Sequence, residues 1–178
     1  MYRLLWIVLI YVKGANVFME TYRQYVQNLF QTSSSDKVNN DKVENARVLY
    51  EMIFQYAKEK VRIFCNKMAA SVFDQQTVCD ALENALKRNV RFYIIVKETP
   101  ERSKALDILA SYENQVKFYK GGNFTAKGVP VNFVIMDEKG YRYEYDSNQP
   151  CAIGCANDPV FAGKLAKVFD DAISKKTA

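Results

Sequence analysis

"ALENALKRNVRFYIIV", residues 81–96, passes from a helix into a strand within one short run. Val78, Ala81, Leu82, Ala85 and Leu86 recur at the spacing of one helix face, Asp74 stands ahead of them as a cap, and the pattern stops near Asn89. From Val90 the period changes. "VRFYIIV" (90–96) is apolar on both faces toward its end, as an interior strand covered on both sides must be. A helix delivering the chain into such a strand is the signature of an α/β domain.

The pattern extends in both directions. "VRIFC" (61–65) is a second strand, and the helix before it carries Val43, Ala46, Leu49, Met52, Ile53 and Tyr56 in one stripe, with Asn40 or Asp41 as its cap. Downstream, Thr99-Pro100-Glu101 opens a helix with proline in its first turn, containing Leu106, Ile108 and Leu109. "QVKFYK" (115–120) is a third strand, stopped by Gly121-Gly122. "VPVNFVIMDEKGYRYEYD" (129–146) reads as a hairpin with arms 131–137 and 141–146, joined by "EKG" with glycine supplying the left-handed residue. On its second arm Tyr141, Tyr143 and Tyr145 share one face and Arg142, Glu144 and Asp146 the other. The tyrosines are expected to pack against a core or a second copy, and the charges to form a solvated face. "DPVFAGKLAKVFDDAIS" (158–174) begins with an Asp cap and proline, then puts Phe161, Leu165, Val168, Phe169 and Ile173 on one side of a closing helix. The expected fold is α/β, a mixed sheet flanked by helices.

Three segments follow. Residues 1–18 form an apolar extension whose run "LLWIVLIYV" (4–12) is shorter than the roughly 20 residues a bilayer requires. It reads as an over-called start before Met19, or as a targeting or anchoring segment without a good cleavage site. Residues 19–41 read as a helix and a polar linker, "QTSSSDKVNND" (31–41), and 42–178 as the domain proper.

With 178 residues the chain can bury a core without disulfides or metal. Its net charge of +5 allows an acidic partner, although the basic residues are scattered. Cys65 and Cys79 sit in apolar patterns as small core residues, and Cys151-x3-Cys155 lacks the histidine or second cysteine pair that a metal site would use. Four cysteines used this way suit a reduced, cytoplasmic chain; secretion or membrane association is the alternative if residues 4–12 act as a signal or anchor. No cofactor motif is present. Gly121-Gly122 lacks the remaining glycines and the Lys-Ser/Thr of a phosphate loop.

Residues 43–173 resemble one repeat of the phospholipase D superfamily. "ALENALKRNVRFYIIV" matches the family's helix-to-strand passage, "PVNFVIMD" its half-site strand H-x-K-x4-D, and "GCAN" (154–157) its G-S-x-N turn before the last helix. The resemblance implies the family's α/β fold. It also aligns Pro130 with the family's histidine, Asn132 with its lysine, Asp137 with its aspartate, Cys155 with its serine and Asn157 with its asparagine. The interval between Asp137 and Gly154 is longer than in the motif, and the tyrosine-rich arm fills it. The family's reaction uses one histidine as nucleophile and a second as acid, and this chain has no histidine. Proline offers no nucleophile and neutral asparagine no cation. No residue is therefore expected to be catalytic.

The positions left as candidates for a ligand are Asn132, Asp137, Cys155, Asn157 and Lys127. Asn132, on the face of Val134 and Met136, is either a remnant ligand amide or, by preference, a polar residue bonded to neighbouring backbone. Asp137 beside "EKG" fits a turn residue better than an acid. Cys155 near a helix start could be an activated thiol with Lys127 or Arg142 as base, but a small residue in a tight turn is the simpler reading. The expected function is a non-catalytic phospholipase D-like binding module. A protein partner or a second copy is its first target and nucleic acid the alternative; a hydrolase using cysteine or carboxylates ranks behind both.

Overall fold

In the computed structural model, residues 21–98, 102–120, 132–145 and 151–174 are described. The apolar extension, the Thr99-Pro100-Glu101 helix start, Lys127 and Pro130 lie outside them.

A first helix, α1, covers residues 21–31. It is followed by β1 (Lys37–Asn40), α2 (Val43–Tyr56), β2 (Lys60–Cys65), α3 (Ala70–Phe73), α4 (Gln76–Lys87) and β3 (Arg91–Val96). Then come α5 (Lys104–Ala110), β4 (Val116–Lys120), β5 (Phe133–Met136), β6 (Gly140–Glu144), β7 (Ala152–Cys155) and α6 (Pro159–Ser174). The strands form one sheet in the order β1-β7-β6-β5-β2-β3-β4. β2, β3 and β4 run parallel, while β5, β6, β7 and β1 pair antiparallel. This is the expected mixed α/β sheet.

The helix-to-strand passage is built by a Schellman ending. Asn89 takes φ 65, its N–H donates to Leu86 O at 2.9 Å, and Val90 N–H donates to Ala85 O at 3.1 Å. Asparagine tolerates that left-handed position better than most residues, so "KRNV" turns the chain straight into β3. Arg88 adds a second function: Nη2 donates to the carbonyls of Phe54, Gln55 and Ala57 and satisfies the C-terminal end of α2.

The sheet buries both faces. Val61 and Ile63, with Ile94, Val96 and Val134, face the layer of α1, α2, α4 and α5; Phe64, Phe133, Ile135 and Tyr141 face α6. The alternation along each strand produces the two layers. Phe64 and Phe133 are cross-strand partners whose rings stack at 5.1 Å, an aromatic pair worth about 1 kcal/mol beyond its area.

Several sequence expectations need correction. The polar linker contains β1, because Lys37–Asn40 pairs with β7 at the sheet edge and turns Val38 into the core. α1 is likewise packed in, with Val26, Leu29 and Phe30 buried and Arg23 clamping Glu51 of α2. Neither Asn40 nor Asp41 caps α2, whose N-cap is Lys42 without a side-chain bond. Asp74 accepts from Ala105 N–H at 3.2 Å, α4 starts from Gln75, and α5 is capped by Ser103, whose Oγ accepts from Leu106 N–H. The hairpin turn puts its positive φ on Asp137 (48) and Glu138 (56), not on glycine. Gly140 is needed for a different reason: a Cβ there would lie 2.7 Å from Met136 Cε and 3.0 Å from Ala156 O. The Asp158 cap of α6 agrees with the sequence reading, its Oδ1 accepting from Phe161 N–H at 3.0 Å.

Candidate ligand-binding pocket

Asn132 immediately precedes β5, and its backbone carbonyl accepts from Glu144 N–H at 3.0 Å. Val134 lies opposite Arg142 in the β5–β6 register. The side chains of Asn132, Arg142 and Glu144 therefore share the face covered by α2. There they line a cavity of about 220 Å³, closed by Tyr50 of α2, by Cys65 and Lys67 at the end of β2, and by Ser71 and Phe73 of α3.

Arg142 sits at its centre with a side chain 5 % exposed. Its Nε donates to Asn40 Oδ1 at 2.5 Å, and fully buried Asn40 in turn donates from Nδ2 to Lys42 O at 3.0 Å. Nη1 lies 3.6 Å from Glu144 Oε2, an ion pair beyond hydrogen-bond length. The guanidinium also stands over the Tyr50 ring, 5.6 Å from its centroid. Burying a guanidinium is costly unless it is paired and hydrogen-bonded, and Asn40, Glu144 and Tyr50 share that task. Burial raises the Tyr50 phenol, an effect Arg142 opposes, and burial with the nearby Glu144 pushes the Cys65 thiol up to about 12. Cys65 is thus a neutral wall of the pocket.

The sequence candidates separate. Asn132 lines the cavity, with Oδ1 accepting from Asn66 N–H at 2.9 Å, the backbone bond preferred on sequence grounds. That bond fixes the amide so that Oδ1 is committed and Nδ2 points elsewhere. Asp137 is a structural anchor: its carboxylate accepts from the N–H groups of Lys58, Glu59 and Lys60 at 2.9, 2.9 and 3.0 Å. Cys155 belongs to the opposite layer, buried on β7 beneath α6, with Sγ donating to Ser35 O at 3.4 Å. Burial raises its thiol, only partly offset by the backbone of Asn157. A thiol in that state is the reverse of an activated nucleophile. Asn157 is half-buried in the turn before α6. Cys151 and Cys155 are in no disulfide, and no metal-ligating group of three or more side chains occurs among the described residues. No helix among those residues is long and apolar enough to cross a membrane.

The expected solvated face of Arg142 and Glu144 is the largest error of the sequence reading. The face is covered because β6 lies between β5 and β7 and α2 crosses it. One signal was available. Arg142 shares its sheet face with Val134 and Met136, and an apolar neighbouring face implies a covered one.

The architecture has solved counterparts. Nuc from Salmonella typhimurium, a phospholipase D family member, superimposes with a TM-score of 0.55 over 78 % of this chain and 95 % of its own, at 17 % identity. This chain has the phospholipase D-like fold. NucT from Helicobacter pylori matches the phospholipase D-like core similarly, at 0.56 and 16 % identity over 78 % of this chain and 97 % of its own. TrmBL2, described as an archaeal chromatin protein with a novel mode of DNA binding, matches at 0.56 and 12 % identity over 94 % of this chain; this chain spans 64 % of TrmBL2. No protein-family profile and no curated protein sequence matches the chain. At these identities the likeness concerns the phospholipase D-like fold.

Proposed function

We propose that this chain is a non-catalytic binding module on the phospholipase D-like fold, engaging a protein partner or a second copy through the half-site face around Asn132 and Arg142. The observation supporting this reading is the pocket itself. In a chain without histidine, the position aligned with the family's lysine holds Asn132, tied to backbone, while a buried arginine from the neighbouring strand fills the centre. Such a site has donors for holding an acceptor group and no group that titrates near neutrality to move a proton. A hydrolase using Cys155 is disfavoured by that thiol's burial in the other layer.

Nucleic acid is the second reading, supported by the net charge of +5 and by the likeness to TrmBL2. Fluorescence anisotropy with labelled single-stranded and duplex oligonucleotides at low salt separates the two. A protein-binding module gives no salt-sensitive signal. Binding that falls steeply as salt rises moves the assignment to nucleic acid. Sedimentation equilibrium on the same sample reports whether the partner is a second copy; a strict monomer at high concentration removes self-pairing.

A further inference from the structure

We propose that the Arg142 cavity takes a small monocarboxylate with an apolar body, whether a free molecule or the carboxylate of a partner chain. The inference rests on the binding reading above and specifies its chemistry. Three observations carry it. First, Arg142 is 5 % exposed, yet its printed hydrogen bond uses Nε alone, and the acid facing Nη1 stands at 3.6 Å. The Nη edge of a guanidinium is a planar fork that matches the two oxygens of a carboxylate. Lining an enclosed cavity, that edge is a donor pair held in place before any ligand arrives.

Second, the charges facing the cavity are Arg142, Lys67 and Glu144, which sum to +1 when all are ionised. One negative charge neutralises the site, whereas a dianion such as a phosphate monoester leaves an excess beside Glu144. Third, the remaining wall is largely apolar. Val43, Ala46, Val72 and Phe73 line it, with the hydroxyl of Ser71 as a polar addition. A volume of about 220 Å³ corresponds to roughly seven waters at about 30 Å³ each. It lies below the roughly 300 Å³ at which pockets for drug-sized ligands begin. The occupant is therefore a short aliphatic or single-ring acid, or one residue of a partner.

The test is titration of the isotopically labelled full chain with sodium benzoate and sodium butyrate, read by NMR shifts of the Asn132 side-chain amide and the Arg142 guanidinium. Inorganic phosphate is the control arm. Saturable shifts at both groups are expected for the carboxylates, with phosphate at least tenfold weaker. Arg142→Met should abolish saturation. Glu144→Gln, which leaves the arginine in place, should tighten benzoate several-fold and narrow the gap to phosphate; it keeps the test informative if Arg142→Met fails to fold. Two hexapeptides with free or amidated C-termini separate the sources. Tighter binding of the free acid assigns the carboxylate to a partner chain, and binding of butyrate and benzoate alone assigns it to a free molecule.

Absence of carboxylate shifts, phosphate binding more tightly than benzoate, or benzoate binding unchanged in Glu144→Gln and Arg142→Met each overturns the inference. Those outcomes leave the non-catalytic reading standing. Hydrolysis of a phosphodiester by the same sample sinks that reading and leaves the carboxylate result to be judged on its own shifts.

Discussion

Replacing Asp137 tests whether this residue anchors the sheet or serves the site. Its carboxylate receives the N–H groups of Lys58, Glu59 and Lys60, joining the β5–β6 turn to the segment that enters β2. A hydrogen bond to a charged acceptor nets about 1.5–3 kcal/mol when it is sheltered. The bonds from Lys58 and Glu59 are exposed, so water replaces much of each and about 0.5–1 kcal/mol apiece is retained. The Lys60 bond is partly buried and contributes about 1.5–2 kcal/mol. Asp137→Ala should therefore cost about 2.5–4 kcal/mol. Asp137→Asn keeps an acceptor oxygen and tolerates the φ of 48, so about 1–2 kcal/mol is expected. Asp137→Gly loses the carboxylate but relieves the left-handed strain by about 1 kcal/mol, placing it between the two. Urea unfolding reads the series directly. With m near 2 kcal/mol/M, the alanine midpoint should fall by about 1–2 M. An alanine variant within about 0.5 kcal/mol of wild type, or a glycine variant more stable than wild type, refutes the anchor.

Two further outcomes follow from packing and titration. Gly154→Ala should cost about 1–3 kcal/mol by overpacking, since the added Cβ would lie 2.7 and 2.8 Å from the two Leu49 methyl carbons; a neutral variant by urea midpoint would show that α2 yields freely. The Cys65 thiol is raised from 9.0 to about 12 in the fold, so its contribution is complete below its unfolded value and is lost as pH climbs from about 9 toward 12. Urea midpoints at pH 8 and pH 10 should differ less for Cys65→Ala than for wild type, and an unchanged difference contradicts the assignment.

The core of the fold was legible because its signals are local. Asn89 ends a helix through its own backbone geometry, and Asp158 caps α6 through a bond three residues long. The hairpin was legible in register but not in its turn chemistry. Asp137 and Glu138 adopt the strained conformation because distant partners hold them: the backbone before β2 for one, Lys60 and Arg62 for the other. β1 was illegible for a related reason. "KVNN" carries little strand propensity and is a strand because β7 offers it an edge, while Asn40 is needed by Arg142 from a position 102 residues away. The pocket was half legible. Asn132 came from the motif alignment, but Arg142 and Glu144 alternate with tyrosines in a pattern that any half-solvated strand would show. Which side was wet depended on α2 lying across it, a tertiary fact with no local trace.

The measurement that bears most directly on the account is phosphodiester turnover by the purified full chain, using bis(p-nitrophenyl) phosphate and a labelled oligonucleotide. The account predicts release no faster than buffer for the wild-type chain, and the same for Asn132→Ala and Cys155→Ser. Turnover that survives purification and disappears in either variant would contradict it.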